Sequence, residues 1–181
     1  ALAYDDPVRR RRIAAQVVRG SVHNMRVNLE YYNRRGRDLA KSVRRLKQTE
    51  DNVANADGIA ELMGVEATAR KEYYQAFDAI LDGKFTMGTR SYNPPSNEIN
   101  SLLSFGNALL YANCVSAIRA TALDPAVSFL HEPGERRYPL SLDIADIFKP
   151  VIPDRVTFRL VNRGQITSED FVDELGGVLL T

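Results

Sequence analysis

Glu66, His131, Asp143 and Asp146 are of types that hold a divalent metal or move a proton, and their settings in the sequence single them out. The chain has two histidines, and His23 lies in a basic segment, so His131 is the one set among carboxylates. It belongs to the stretch DPAVSFLHEPGERRYPLSLDIADIFKP, from Asp124 to Pro150, which joins an apolar approach, a charged turn and a helix bearing two aspartates. Asp143 and Asp146 are about 60° apart round that helix, so they share one side. On a surface such a pair would simply be solvated. Glu66 falls within the apolar stripe Ile59, Leu62/Met63, Ala69, Tyr73, Phe77 and Ile80. A carboxylate there must be paired, for which Arg70 is available, or must coordinate something. His131 follows Glu66 by 65 residues and precedes the aspartates by 12 and 15, so only a fold can join them. Joined, they would suit Mn2+ or Mg2+ better than zinc. Beside a basic surface such a metal implies phosphodiester chemistry, with the phosphoryl oxygen polarised and an attacking water or sugar hydroxyl deprotonated.

The elements that must position these residues read as helices. Asp6-Pro7 starts one that continues to about Tyr32, with Ala14, Val18, Val22, Met25, Leu29 and Tyr32 inward. After Gly36 a second carries Leu39, Val43 and Leu46 inward. QTEDNVANADG connects to the Glu66 helix, and residues 82–95 form a loop with Lys84 and Arg90. Ser96 or Asn97 caps a long helix through Ile99, Leu103, Leu110 and Leu123, apolar nearly all round and so expected to be the central, most buried one. In the Asp143 helix, Ile144, Ile147, Phe148 and Val151 form the expected buried arc. A further helix carries Val156, Leu160 and Val161. Thr167 with Asp170 resembles a capping box for a last helix, closed by Gly176-Gly177. Cys114 reads as a core residue.

Composition bounds the function. At 44% hydrophobic and 26% charged, the chain can bury a core and is not a disordered tail. A single cysteine excludes an internal disulfide and fits a reducing compartment. No uninterrupted apolar run reaches the length of a membrane span. The net charge of +1 is unevenly spread: residues 1–47 hold 13 Lys/Arg against 4 Asp/Glu, and residues 48–181 hold 11 against 19. The basic third, with Arg9, Arg10, Arg11 and Arg12, is either a solvated face or a phosphate-contacting one. Arg136 and Arg137 in the turn after His131 could also meet phosphate. Both termini read as the ends of a fragment.

The chain resembles the CRISPR-associated integrase family, metal-dependent DNA endonucleases that insert spacers during adaptation. The matching segments are YDDPVRRRRIAAQVVRGSVHNMR, GVEATARKEYYQAF, PPSNEINSLLSFGNALLYA, LDPAVSFLHE and LSLDIADIFKP, in family order through nearly the whole chain. Asn97, Ala122 and Ala126 depart from the family's usual residues without removing a ligand.

The resemblance implies an all-α, multi-helix catalytic domain around a central buried helix, lacking the family's N-terminal β domain. It would be a single domain over 1–181, with basic helices over 1–47 and metal-site and core helices over 57–181. It implies Glu66, His131 and Asp146 as ligands of Mn2+ or Mg2+, with Asp143 an accessory catalytic carboxylate. The activity implied is insertion of spacer DNA into a CRISPR repeat by 3′-hydroxyl attack on a phosphodiester. The implied partners are double-stranded DNA with 3′ ends, repeat DNA, a second copy in the full-length protein and a small companion protein, in the prokaryotic cytoplasm with no membrane. Arg9, Arg10, Arg11, Arg12, Lys84, Arg90, Arg136 and Arg137 are the candidate DNA contacts. The alternative is a non-catalytic helical DNA-binding module.

Overall fold

The computed structural model describes residues 3–131, 138–174 and 176–181. Its helices are α1 (Pro7–Asn33), α2 (Ala40–Asn52), α3 (Ile59–Gln75), α4 (Glu98–Arg119), α5 (Pro139–Phe148) and α6 (Pro153–Asn162), followed by strands β1 (Phe171–Glu174) and β2 (Gly177–Leu180). The domain is helical, as expected, with one small antiparallel hairpin.

The central helix is α1. Asp6 caps it by accepting from the Val8 and Arg9 amides, and proline occupies its first turn, where no amide is needed. Ala14, Val18, Val22, Met25 and Leu29 recur at helical spacing and are fully buried, because α2, α3 and α5 all pack on this helix. The core continues through Leu46, Leu62, Tyr73, Phe77, Ile80, Ile99, Leu103 and Phe158. Phe77 meets Phe158 edge to face at 4.5 Å, joining α6 to the turn after α3. Cys114 is buried in a smaller cluster with Leu110 and Ala145, tying α4 to α5.

Four expectations are corrected. The helix α4, capped by Asn97, is core only in its first turns and along one stripe; Phe105 and Leu109 are 54% and 51% exposed. Its all-round apolarity did not mean burial all round, since neighbours cover only one side. By length and composition alone α4 could cross a membrane, but here its N-terminal turns are part of the core. The buried side of α5 is Leu140, Ser141, Asp143, Ala145 and Asp146, while Phe148 is exposed and Ile144 and Ile147 only half-buried. The α5 helix is thus rotated so that its aspartates face inward. In α6 Val161 is buried as expected, but Val156 is exposed, and the other buried residues are Pro153, Asp154, Thr157 and Phe158. Finally, the expected last helix is a hairpin. The Thr167–Asp170 capping box exists but caps a single 3-10 turn, after which Phe171–Glu174 pairs with Gly177–Leu180. Gly176 takes a positive φ of 77° in the turn, and Gly177 lies where an added Cβ would be 2.4 Å from Pro94. The hairpin is therefore pressed onto the double-proline loop, with the Val178 amide donating to the Pro95 carbonyl.

Candidate active site

The site grows from Asp143, which is fully buried on α5. Its carboxylate accepts from the backbone amides of Phe129 at 2.7 Å, Leu130 at 3.1 Å and His131 at 3.2 Å. One side chain thereby folds the segment before His131 against the helix and replaces the hydration a buried carboxylate loses. It also takes a fourth hydrogen bond, from His131 Nδ1 at 2.7 Å. A carboxylate only accepts, so Nδ1 carries a proton, and in the neutral ring it is Nε2 that presents its lone pair. That nitrogen is 3.7 Å from Asp146 Oδ2. The Asp143 hydrogen bond raises the His131 pKa, against the opposing effect of burial, and the Asp146 charge adds to the rise.

Asp146 is 5% exposed and still holds its charge. Burial alone would raise its pKa, but Arg70 and Lys149 outweigh that and lower it. Lys149 Nζ donates to Asp146 Oδ1 at 2.5 Å, and an Arg70 terminal nitrogen lies 3.4 Å from the same oxygen. Arg70 Nε also donates to Glu66 Oε1 at 2.6 Å. A single guanidinium thus stands between Glu66 and Asp146, residues of different helices. Burial works against its charge, but Asp146 and Glu66 together raise its pKa well above the ordinary value. The α1 helix fixes the height of α5 through Ser21 Oγ, which donates to the Asp146 carbonyl at 3.0 Å, and Asn24 Nδ2, which donates to the Ile147 carbonyl at 2.7 Å.

Glu66, His131, Asp143 and Asp146, distant in sequence, form one electrostatic cluster. As they stand, no three His, Cys, Asp or Glu side chains among the described residues close around a point that could hold an ion. The donor set still fits a hard divalent metal: two carboxylates, one of them anionic despite burial, and an imidazole whose free nitrogen is fixed by its partner's hydrogen bond. The cations now on the carboxylates are Arg70 and Lys149. The sequence shows Arg70 as a partner for Glu66 but does not single out Lys149; their spacings, four after Glu66 and three after Asp146, are the available signals. Nor does it single out Asp154, fully buried on α6 beside the Tyr73 hydroxyl. Burial pushes its pKa up to about 7, against the lowering field of Arg70.

Among the described residues, the candidate DNA contacts do not gather at one place. Arg9 is exposed beside Asp6, and Arg12 is exposed. Arg10 donates to the Phe129 carbonyl at 3.1 Å and lies over the Tyr4 ring, while Arg11 donates to the Ala56 carbonyl. These two tie the start of α1 to neighbouring segments. Lys84 is exposed. Arg90 binds Asn100 Oδ1 and Ser104 Oγ and lies over Tyr92. With Lys149, Tyr92 and Tyr111 it lines a cavity of about 330 Å³ that adjoins the Asp146 side of the cluster. Arg136 and Arg137 lie outside the described residues.

Comparison with known proteins gives a consistent answer. The family model described as CRISPR associated protein Cas1 matches residues 1–181. A CRISPR-associated endonuclease Cas1 from Haloferax volcanii is 56% identical over 179 residues, covering 99% of this chain and 54% of the relative. Its counterpart from Pyrococcus horikoshii is 43% identical, covering 93% and 50%. Among solved structures, a Cas1 protein from Thermotoga maritima superposes with a TM-score of 0.89 at 37% identity, covering 98% of this chain and 56% of that one. A casposase bound to integration product shares the fold, with a TM-score of 0.88 at 22% identity over 99% of this chain and 50% of that one. The chain spans about half the length of the curated relatives it matches.

Proposed function

The chain belongs to the CRISPR-associated Cas1 family, and from that premise we propose that it is the catalytic part of a metal-dependent DNA endonuclease and integrase, acting in CRISPR adaptation. The observation that carries this reading is the His131–Asp143 hydrogen bond, which leaves Nε2 free beside Asp146. A purely structural role accounts for Glu66, since Arg70 pairs it, but not for an imidazole held in that tautomer against a second carboxylate.

In this reading Glu66, His131 through Nε2, and Asp146 hold Mn2+ or Mg2+, and Asp143 orients the imidazole. The metal supplies Lewis-acid polarisation of a phosphodiester and favours ionisation of an attacking hydroxyl. The protein's own residues do the rest. Arg70 keeps Glu66 and Asp146 on one side of the site and, together with Lys149 on Asp146, balances their charge. Lys149, donating to Asp146 and lining the adjoining cavity, is placed to meet a phosphate that approaches from there. The substrates are spacer DNA with 3′ ends and CRISPR repeat DNA, joined by attack of the 3′-hydroxyl on a repeat phosphodiester. A chain of a solved Cas6-RT-Cas1–Cas2 complex shares this fold with a TM-score of 0.90 at 26% identity, over 99% of this chain and 20% of that one, as does a chain of a partial such complex. They support a Cas2-like companion, and the full-length protein is proposed to act as a dimer.

Replacing His131 tests the reading. His131→Ala should abolish Mn2+-dependent cleavage of branched DNA and leave salt-sensitive DNA binding within about threefold. Parallel loss of both would favour a binding module in which the acidic cluster is structural.

A further inference from the structure

Away from the acidic cluster, the C-terminal end of α1 and the outer face of α6 enclose a cavity of about 560 Å³. Four arginines line it, Arg35, Arg155, Arg159 and Arg163, and no acidic residue does. Elsewhere many basic side chains are spent on acidic partners, as in Arg26–Glu50, Arg37–Asp82 and Arg45–Glu72. Among the described residues, none of these four has an ion-pair partner. Arg159 and Arg163 stand at the C-terminal end of α6, where the helix dipole favours a cation. That accounts for basic residues on α6 but not for Arg35 converging on them from the turn after α1.

We propose that this concave patch is a phosphate-binding subsite that seats the sugar-phosphate backbone of DNA extending from the active site. The inference rests on the DNA-processing reading above. Arg35 and Arg155 lie over the Tyr31 ring, 3.6 and 4.8 Å from its centroid, so their planar forks are held in place before any ligand arrives. With guanidinium groups on the ring, Tyr31 is not a platform for a base. The patch therefore suits phosphate, and its recognition is independent of sequence. Its position agrees with this. Ser21 of α1 is bonded to the Asp146 carbonyl, and Tyr31 lies ten residues further along the same helix. At the α-helical rise that is on the order of 15 Å, about four base steps of a duplex strand.

The test is duplex binding by the full chain, followed by fluorescence anisotropy between 50 and 200 mM salt. The double variant Arg159→Gln/Arg163→Gln changes two exposed residues on which no packing depends. Its expected slope of log K against log salt is shallower by about 1 to 2. The expected affinity at 50 mM salt is about 5- to 20-fold weaker, alike for unrelated sequences, with Mn2+ binding unchanged. An unaltered slope overturns the inference and leaves the DNA reading standing. An unaltered slope with weakened binding of a polyglutamate peptide would assign the patch to an acidic protein segment instead. If the parent chain shows no salt-dependent duplex binding, it is the DNA reading itself that fails.

Discussion

His131 Nδ1 and Asp143 Oδ1 are 2.7 Å apart, and the same carboxylate gathers three consecutive backbone amides. One side chain therefore sets both the course of the chain and the tautomer of the imidazole. In Asp143→Asn the amide nitrogen can donate to Nδ1, which would move the ring proton to Nε2 and remove the free lone pair. Mn2+ affinity, measured by calorimetric titration, should fall about 10- to 100-fold. Unfolding should show a loss of about 2–3 kcal/mol, from a charged acceptor replaced by a neutral one. Wild-type Mn2+ affinity in this variant would remove Asp143 from the orienting role.

Arg70 and a divalent metal would neutralise the same carboxylates, so they should compete. Removing the guanidinium in Arg70→Ala leaves Glu66 and Asp146 facing each other in a largely buried place, at 16% and 7% side-chain exposure. The variant should be destabilised by about 2–4 kcal/mol without metal. Saturating Mn2+ should then raise its melting temperature by more than it raises that of the unaltered protein. Equal increments in the two proteins would contradict the shared role.

Asp154 gives the fold a pH dependence of known sign. Its pKa is about 7 in the folded protein and near 3.8 when unperturbed. Between those values the native state keeps a proton that the unfolded chain releases, so this group makes stability fall as pH rises from about 4 to 7 and adds nothing further above that. In Asp154→Asn the difference in melting temperature between pH 5 and pH 8 should shrink by several degrees. Calorimetry at the two pH values checks this, and an undiminished difference would place the dependence elsewhere.

Gly177→Ala should loosen the C-terminal hairpin. The new Cβ would stand 2.4 Å from Pro94 Cβ and 3.0 Å from the Pro95 carbonyl, both on a stiff segment. A loss of about 1–3 kcal/mol is expected, with faster amide exchange of Val178, whose donor bond goes to Pro95. Protection of that amide at the wild-type level would show that the loop gives way instead.

Much of the helical framework was legible because its apolar positions recur at helical spacing: Ala14, Val18, Val22, Met25 and Leu29 are the buried face of α1, and Leu62, Ala69 and Tyr73 that of α3. What failed was the choice of which side meets a neighbour. Ile147 and Phe148 are more apolar than Asp143 and Asp146, yet the aspartates are the buried pair, because backbone amides and cations supplied by other segments offset their desolvation. Phe105 and Leu109 show the reverse, apolar side chains that nothing among the described residues covers. In FVDE and GVLL the strands are four residues long, too short for alternation to outweigh an authentic capping box just before them.

The contact between Ser21 and the Asp146 carbonyl spans 125 positions of sequence. Glu66 and Arg70 can meet as soon as one turn of α3 forms, whereas the other half of the cluster waits for α5 to dock on a helix that lies 125 positions earlier in the chain. Contacts of such sequence separation form late, after most of the loop-closure entropy has been met. A nascent chain that has not yet released α5 from the ribosome is therefore expected to be folded in part and chemically inert, its competence arriving in one late step.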